Sequence, residues 1–112
     1  MSSDFIHKDL AEGGWNRLTL AEQLGNIGSE VGRAVNWERK NNKEKRESAL
    51  DRAFELLYLT IEDPKQKNRL KEICRAREIL ADTFYGNREY GYAPEDLERY
   101  FFQYAVAARR RI

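Results

Sequence analysis

The stretch LGNIGSEVGRA, Leu24–Ala34, sets three glycines into eleven residues that otherwise read as the middle of a helix. Around it Leu20, Leu24, Ile27, Val31 and Val35 recur at the three- and four-residue spacing of a single helix face. An interior glycine costs about 1 kcal/mol relative to alanine, so three cost roughly 3 kcal/mol in a domain whose whole stability is about 5–15 kcal/mol. A compensating contact is therefore expected. Ala21, Gly25, Gly28 and Gly32 fall within about 60° of one another, roughly 100° around the helix from the apolar face. The helix thus has a bulky seam for its own core and a small seam that admits a second backbone at the short end of the usual interaxial distance of about 8–10 Å. Dispersion contacts of about 0.1–0.2 kcal/mol each, made in number, offset the glycine cost. The second rod is either a neighbouring helix of this chain or the same helix of a second copy, for which a two-fold axis needs only one self-complementary surface. Close approach of a ligand is the third option. A phosphate loop is rejected, because the glycines are spaced G-x-x-G-x-x-x-G inside a helix with no strand ahead of it.

Outward from this helix the chain is punctuated by caps. Thr19 with Glu22 forms a capping box, which opens a helix over about 19–39. Asn41 and Asn42 break it, and Asn41 with Glu44 can cap a second helix with Leu50, Ala53, Phe54, Leu57 and Ile61 inward, ending near Glu62. Asp63-Pro64 joins an N-cap residue to proline at the first helical position. The third helix that follows carries Leu70, Ile73, Cys74, Leu80 and Phe84 on one face and stops at Gly86-Asn87. Pro94, Glu95 and Asp96 open a fourth with Leu97, Phe101, Tyr104, Ala105 and Ala108 inward, and its acidic start and Arg109–Arg111 end both suit the helix dipole. Residues 4–12 add a short helix halted by Gly13-Gly14. No period-two alternation or hairpin signal competes. The expectation is an all-α fold, a single domain over 1–112 built as an antiparallel four-helix bundle with a short N-terminal helix.

The bulk numbers suit amphipathic helices: 112 residues, 41% hydrophobic and 35% charged, with a net charge of +1. That balance sets up no overall field toward nucleic acid or an anionic membrane. Residues 43–63 hold four bases and six acids, and residues 64–87 six bases and three acids, so the two segments are expected to pair with each other. The single cysteine, Cys74, forbids an internal disulfide and fits a reducing compartment. No apolar run is long enough to span a bilayer and the N-terminus is too polar for a secretory signal, so a cytoplasmic location away from membranes is expected.

No complete catalytic or metal set emerges, and no cofactor is expected. His7 is the only histidine, which leaves neither a Ser-His-Asp triad nor the paired Glu-x-x-His of di-iron bundles. Cys74 lacks a C-x-x-C partner for zinc and reads as a buried thiol, although Arg75 and Arg77 would activate it if it were exposed. Glu30 with Arg33, and Glu72, Arg75, Glu78 and Asp82, read as solvated pairs on polar faces. An enzyme using carboxylates or Cys74 is the least supported reading.

Eight of the thirteen aromatic residues fall within FYGNREYGYAPEDLERYFFQY, Phe84–Tyr104. Phe84, Phe101 and Tyr104 sit on inferred inward faces. Tyr85, Arg88, Tyr90, Tyr92, Arg99 and Tyr100 have the composition of a partner or ligand surface. The plainer alternative folds the 87–93 loop back and lays Tyr90 and Tyr92 over the end of the bundle.

With LAEQLGNIGSEVGRA, LKEICRAREILAD followed by FYG, and an aromatic last helix, the chain from Trp15 onward resembles a family of short, uncharacterised bacterial helical-bundle proteins. At greater distance it is similar to HEPN-type bundles, several of which dimerise and some of which cut RNA. The resemblance implies architecture and not activity, since the ribonuclease motif of those bundles needs a late histidine that this sequence lacks. The leading expectation is a non-catalytic interaction module, homodimeric through the glycine seam or engaging an unknown protein partner through the Tyr/Arg-rich region. The alternative is a nucleic-acid-associated bundle without the ribonuclease motif, motivated by the basic third helix and the arginines at the C-terminus.

Overall fold

The computed structural model describes residues 13–110 and is all-α. Its helices are α1 (Leu20–Arg39), α2 (Lys43–Ile61), α3 (Leu70–Tyr85) and α4 (Pro94–Arg110), with 3-10 turns at Trp15–Arg17 and Pro64–Arg69. The short helix expected over residues 4–12, with His7, lies outside the described residues, as do the side chains of Tyr104, Ala105, Ala108 and Arg109–Arg111.

Local chemistry fixes the boundaries. Thr19 Oγ1 accepts from the Glu22 amide at 3.1 Å while the Thr19 amide donates to Glu22 Oε1 at 2.8 Å, the expected capping box. The second cap is displaced by one residue from its expected place. Asn41 takes up the left-handed conformation (φ 56°) that ends α1, so Asn42 caps α2 by accepting from the Lys45 amide at 3.0 Å. Asp63 accepts from the Lys65 amide at 3.1 Å, yet the segment behind it winds as a 3-10 turn, and the α-helix begins only at Leu70. Asp96 Oδ2 accepts from the Ala93 amide at 2.9 Å and secures the start of α4.

Helix α1 is the shared spine of the bundle, lying between α2 and α4 and antiparallel to both. Arg46 reaches back to Glu38 and Arg52 to Glu30 on one side, while Phe101 meets Gly28 and Glu98 meets Arg39 on the other. Helix α3 packs mainly on α2 and only sparsely on α4. One core joins Leu24, Ile27, Val31 and Val35 of α1 to Leu50, Ala53 and Leu57, Ile73 and Leu80, and Leu97 and Phe101. The inward face of α3 is rotated from the expected one: Leu70 is 36% exposed and Cys74 half-buried, while Ala76, Ile79 and Thr83 turn inward. Small residues and a threonine mark that arc, so weighing faces by bulk misplaces it. The Thr83 hydroxyl is accommodated there by donating to the Ile79 carbonyl at 2.8 Å.

A buried polar junction, unmarked by any sequence pattern, ties the start of α1 to the end of α2. Trp15 is fully buried and its indole N–H donates to Thr60 Oγ1 at 2.8 Å. Gln23 Nε2 donates to the Trp15 carbonyl at 3.0 Å and to Asp63 Oδ2 at 2.8 Å, and Gln66 Nε2 donates to Gln23 Oε1 at 3.2 Å. Lys65 bridges the Asp63 carboxylate and the Asn16 carbonyl. Burial pushes the Asp63 carboxyl up, but hydrogen bonds from Lys65 and Gln23 outweigh it and hold the group below the usual carboxylate value. Lys65 with Asp63 spans the boundary of the two oppositely charged segments, whereas Arg46 and Arg52 turn to carboxylates of α1.

Candidate interaction surface

The small-residue stripe of α1 faces α4. A Cβ built on Gly28 would stand 2.7 Å from Phe101 Cβ, far inside van der Waals contact, so the missing side chain is what lets α4 approach. At Gly32 the requirement is looser, the nearest atom to a Cβ being Glu98 Oε2 at 3.7 Å. Ala21 is half-buried further along the same stripe. One of the two rods considered for this seam is thus the chain's own last helix, at Gly28 and Gly32.

The small-residue stripe also lines a concavity. Along its outer edge Gly25, Gly28, Ser29 and Gly32 floor a groove of about 290 Å³, walled by Glu98, Phe101 and Phe102. Leu97 and Phe101 point inward at i and i+4, which turns Phe102 one step around α4 and leaves it 61% exposed, the largest value among the exposed bulky apolar side chains of the described residues. Beyond Phe102 a second concavity of about 320 Å³ is bordered by Arg39, Glu95, Glu98 and Arg99. Arg39 lies 3.6 Å from Glu95 and 3.4 Å from Glu98, and Arg99 pairs with Asp96. A protruding ring therefore stands between a glycine-floored groove and a rim of mixed charge.

The Tyr/Arg set does not converge on one place. The 86–93 loop is folded back on α3, because Asp82 accepts from the amides of Glu89 and Tyr90, each at 3.0 Å, and left-handed Arg88 donates to the Thr83 carbonyl at 3.1 Å. Tyr90 donates to Glu78 Oε1 at 2.9 Å, and Tyr92 packs edge-on against Tyr100, which in turn packs edge-on against Phe101. Tyr85 stands on the other side, over Phe54, with its hydroxyl donating to Glu47 Oε1 at 2.8 Å. Partial burial, and then the Glu47 carboxylate, push its pKa up to about 12. Of the six residues, Arg99 borders the concavity beside Phe102.

Glu30 departs from its expected role, and Trp37 takes one that the sequence did not suggest. Glu30 is not a solvated carboxylate: it is 8% exposed and held between Arg33 at 3.1 Å and Arg52 at 3.0 Å. Trp37, to which no role was assigned from its position, carries Lys40 and Lys45 over its ring at 5.1 and 4.5 Å. It borders a cavity of about 140 Å³ together with Glu38, Asn41, Asn42, Lys43 and Arg46. Among the described residues no cluster of three histidine, cysteine, aspartate or glutamate side chains could hold a metal ion, and every buried side-chain nitrogen and oxygen has a hydrogen-bond partner. No helix among them is long and apolar enough to cross a membrane. No family model, curated protein or solved structure matches the chain.

Proposed function

We propose that the protein is a non-catalytic helical interaction module that self-associates through the α1–α4 face. The observation that carries this reading is Phe102 standing exposed beside the groove floored by Gly25, Gly28, Ser29 and Gly32. Knob and groove share one face, so a two-fold axis seats Phe102 of each copy in the groove of the other, as an isologous dimer requires. An exposed aromatic ring entering a close-fitting groove is the usual anchor of such contacts. The rim is compatible with the same arrangement. Arg39, Glu95 and Glu98 are half-exposed, and solvent-exposed pairs of this kind contribute only about 0–1 kcal/mol, so their exchange across an axis costs little.

Sedimentation analysis at tens of micromolar tests it. The wild-type chain is expected to sediment as a dimer, and Phe102→Glu as a monomer with an unchanged helical circular dichroism spectrum. A monomeric wild-type protein, or a dimer that Phe102→Glu leaves intact, removes self-association through this face.

A further inference from the structure

The net charge of +1 conceals an uneven distribution of partners. Residues 67–77, the end of the 3-10 turn and the first half of α3, hold five bases and one acid, a local net charge of +4 in a nearly neutral chain. Arg69 is engaged with Glu72 at 2.8 Å. The other four bases, Lys67, Lys71, Arg75 and Arg77, are exposed and make no ion pair among the described residues. Elsewhere the cations are largely spoken for: Arg33, Arg39, Arg46, Arg52, Lys65 and Arg99 pair with carboxylates, and Lys40 and Lys45 lie over Trp37. The carboxylates of α3 are likewise occupied within the chain. Glu72 takes Arg69, Glu78 accepts from Tyr90, and Asp82 accepts from the loop amides. Among the described residues the fold thus satisfies the acids of this helix and pairs none of Lys71, Arg75 and Arg77 with a carboxylate.

Helical geometry sets those cations lengthwise. Lys71 and Arg75 are one turn apart, about 6 Å along the axis, on one flank of the solvent face, with Lys67 preceding them and Arg77 on the opposite flank. Half-buried Cys74 lies between the flanks. We infer that this face of α3 binds the phosphate backbone of a single-stranded nucleic acid without reading its sequence. Three features select that partner. The apolar arc of α3 is committed to the core through Ile73, Ala76, Ile79 and Leu80, so the helix has no hydrophobic face to lay into a lipid surface. The bulky groups bordering the outer face are Leu70 and Tyr90, and Tyr90 is held by its hydroxyl to Glu78, so the free groups of this face are its cations. Lys67, Lys71 and Arg75 run lengthwise along one flank and follow one strand, with Arg77 closing on it from the other flank, whereas a duplex presents two phosphate rows flanking a groove about 12 Å wide. The two guanidinium planes, Arg75 and Arg77, add surfaces on which unstacked bases can lie.

The test is binding of a fluorescent oligo(U) of about 15 nucleotides, a length within the range that single-strand sites span, followed against salt. Four phosphate contacts at roughly 0.7 per contact give a log–log slope of about −3, or about a 50-fold loss of affinity between ~50 and ~200 mM salt. Lys71→Gln/Arg75→Gln is expected to halve that slope, while Arg17→Gln/Lys43→Gln, which removes two exposed cations elsewhere, leaves it unchanged. Alkylation of Cys74 should slow when the oligonucleotide is bound, which places it on this face. Four outcomes overturn the proposal: no binding at low salt, equal loss in both double variants, unaltered Cys74 reactivity in the complex, or binding of phosphatidylserine vesicles or duplex in preference to the single strand. None of these outcomes depends on whether the chain is monomeric or dimeric.

Discussion

Gly28 and Gly32 sit one turn apart on the same helix and are expected to respond oppositely to the same substitution. Alanine is the better helix former by about 1 kcal/mol at either position. At Gly28 the new methyl group would lie 2.7 Å from Phe101 Cβ, an atom anchored to the α4 backbone, so relief requires α4 itself to move. Overpacking of that kind costs about 1–3 kcal/mol, and Gly28→Ala should be net destabilising by up to about 2 kcal/mol. At Gly32 the nearest atom is the end of a glutamate side chain at 3.7 Å, an ordinary contact, and Gly32→Ala should stabilise by up to about 1 kcal/mol. Urea denaturation of the two variants decides it: loss of stability in both, or in neither, contradicts the packing described. Glu30 teaches a related lesson at this scale. Its sequence neighbours suggest a solvated i, i+3 pair with Arg33, but Arg52 arrives from α2, and that long-range partner is what allows the carboxylate to be buried.

At the scale of elements, the ends and faces of helices were legible wherever a short motif carries its own physics. The Thr19–Glu22 box starts α1, the Leu24–Ile27–Val31–Val35 stripe is its core face, and the glycine stripe is a packing face. Legibility failed where distant residues decide. Trp15, Gln23, Thr60 and Gln66 look unremarkable one by one, and only their linkage through Gln23, which reaches Trp15, Gln66 and Asp63, makes a junction of the 3-10 turns with α1 and α2. The scatter of the tyrosines has the same origin, since hydrogen bonds to Glu47 and Glu78, and not local spacing, aim Tyr85 and Tyr90, whereas the rotated face of α3 is masked in the sequence by the small Ala76 and the polar Thr83 on its inward arc. The junction carries a pH dependence. The folded-state pKa of Asp63 lies below its ordinary value of 3.8, so its contribution is fully present above that pH and is lost as pH falls through the lowered folded value. Asp63→Asn should cost about 1–3 kcal/mol at neutral pH, because a buried hydrogen-bond network loses its anion. The melting temperature of the variant should also vary less than that of the wild type below pH 3.8. Parallel acid curves for the two proteins would rule out Asp63 as a source of acid sensitivity.

Over the whole molecule, α1 with α2 and α4 forms the close-packed part of the bundle, and α3 lies outside it, resting chiefly on α2. Cooperative units of unequal stability are expected from such an arrangement. In native-state hydrogen exchange the amides of Ile27 and Val31 should be the most protected, with those of Ile73 and Leu80 exchanging through a cheaper opening in which α3 separates from α2. Equal protection across both pairs would mean that the four helices open as one. The meeting of Gly28 with Phe101 has a consequence for biogenesis. Chains emerge from the ribosome N-terminal end first, so the glycine-bearing helix is synthesised long before the helix that covers it. Until α4 arrives, that helix carries the conformational cost of its glycines without the contact that offsets it. Closure of the bundle is thereby tied to the synthesis of α4: a nascent chain stalled before Pro94 has the spine but lacks the rod that locks it.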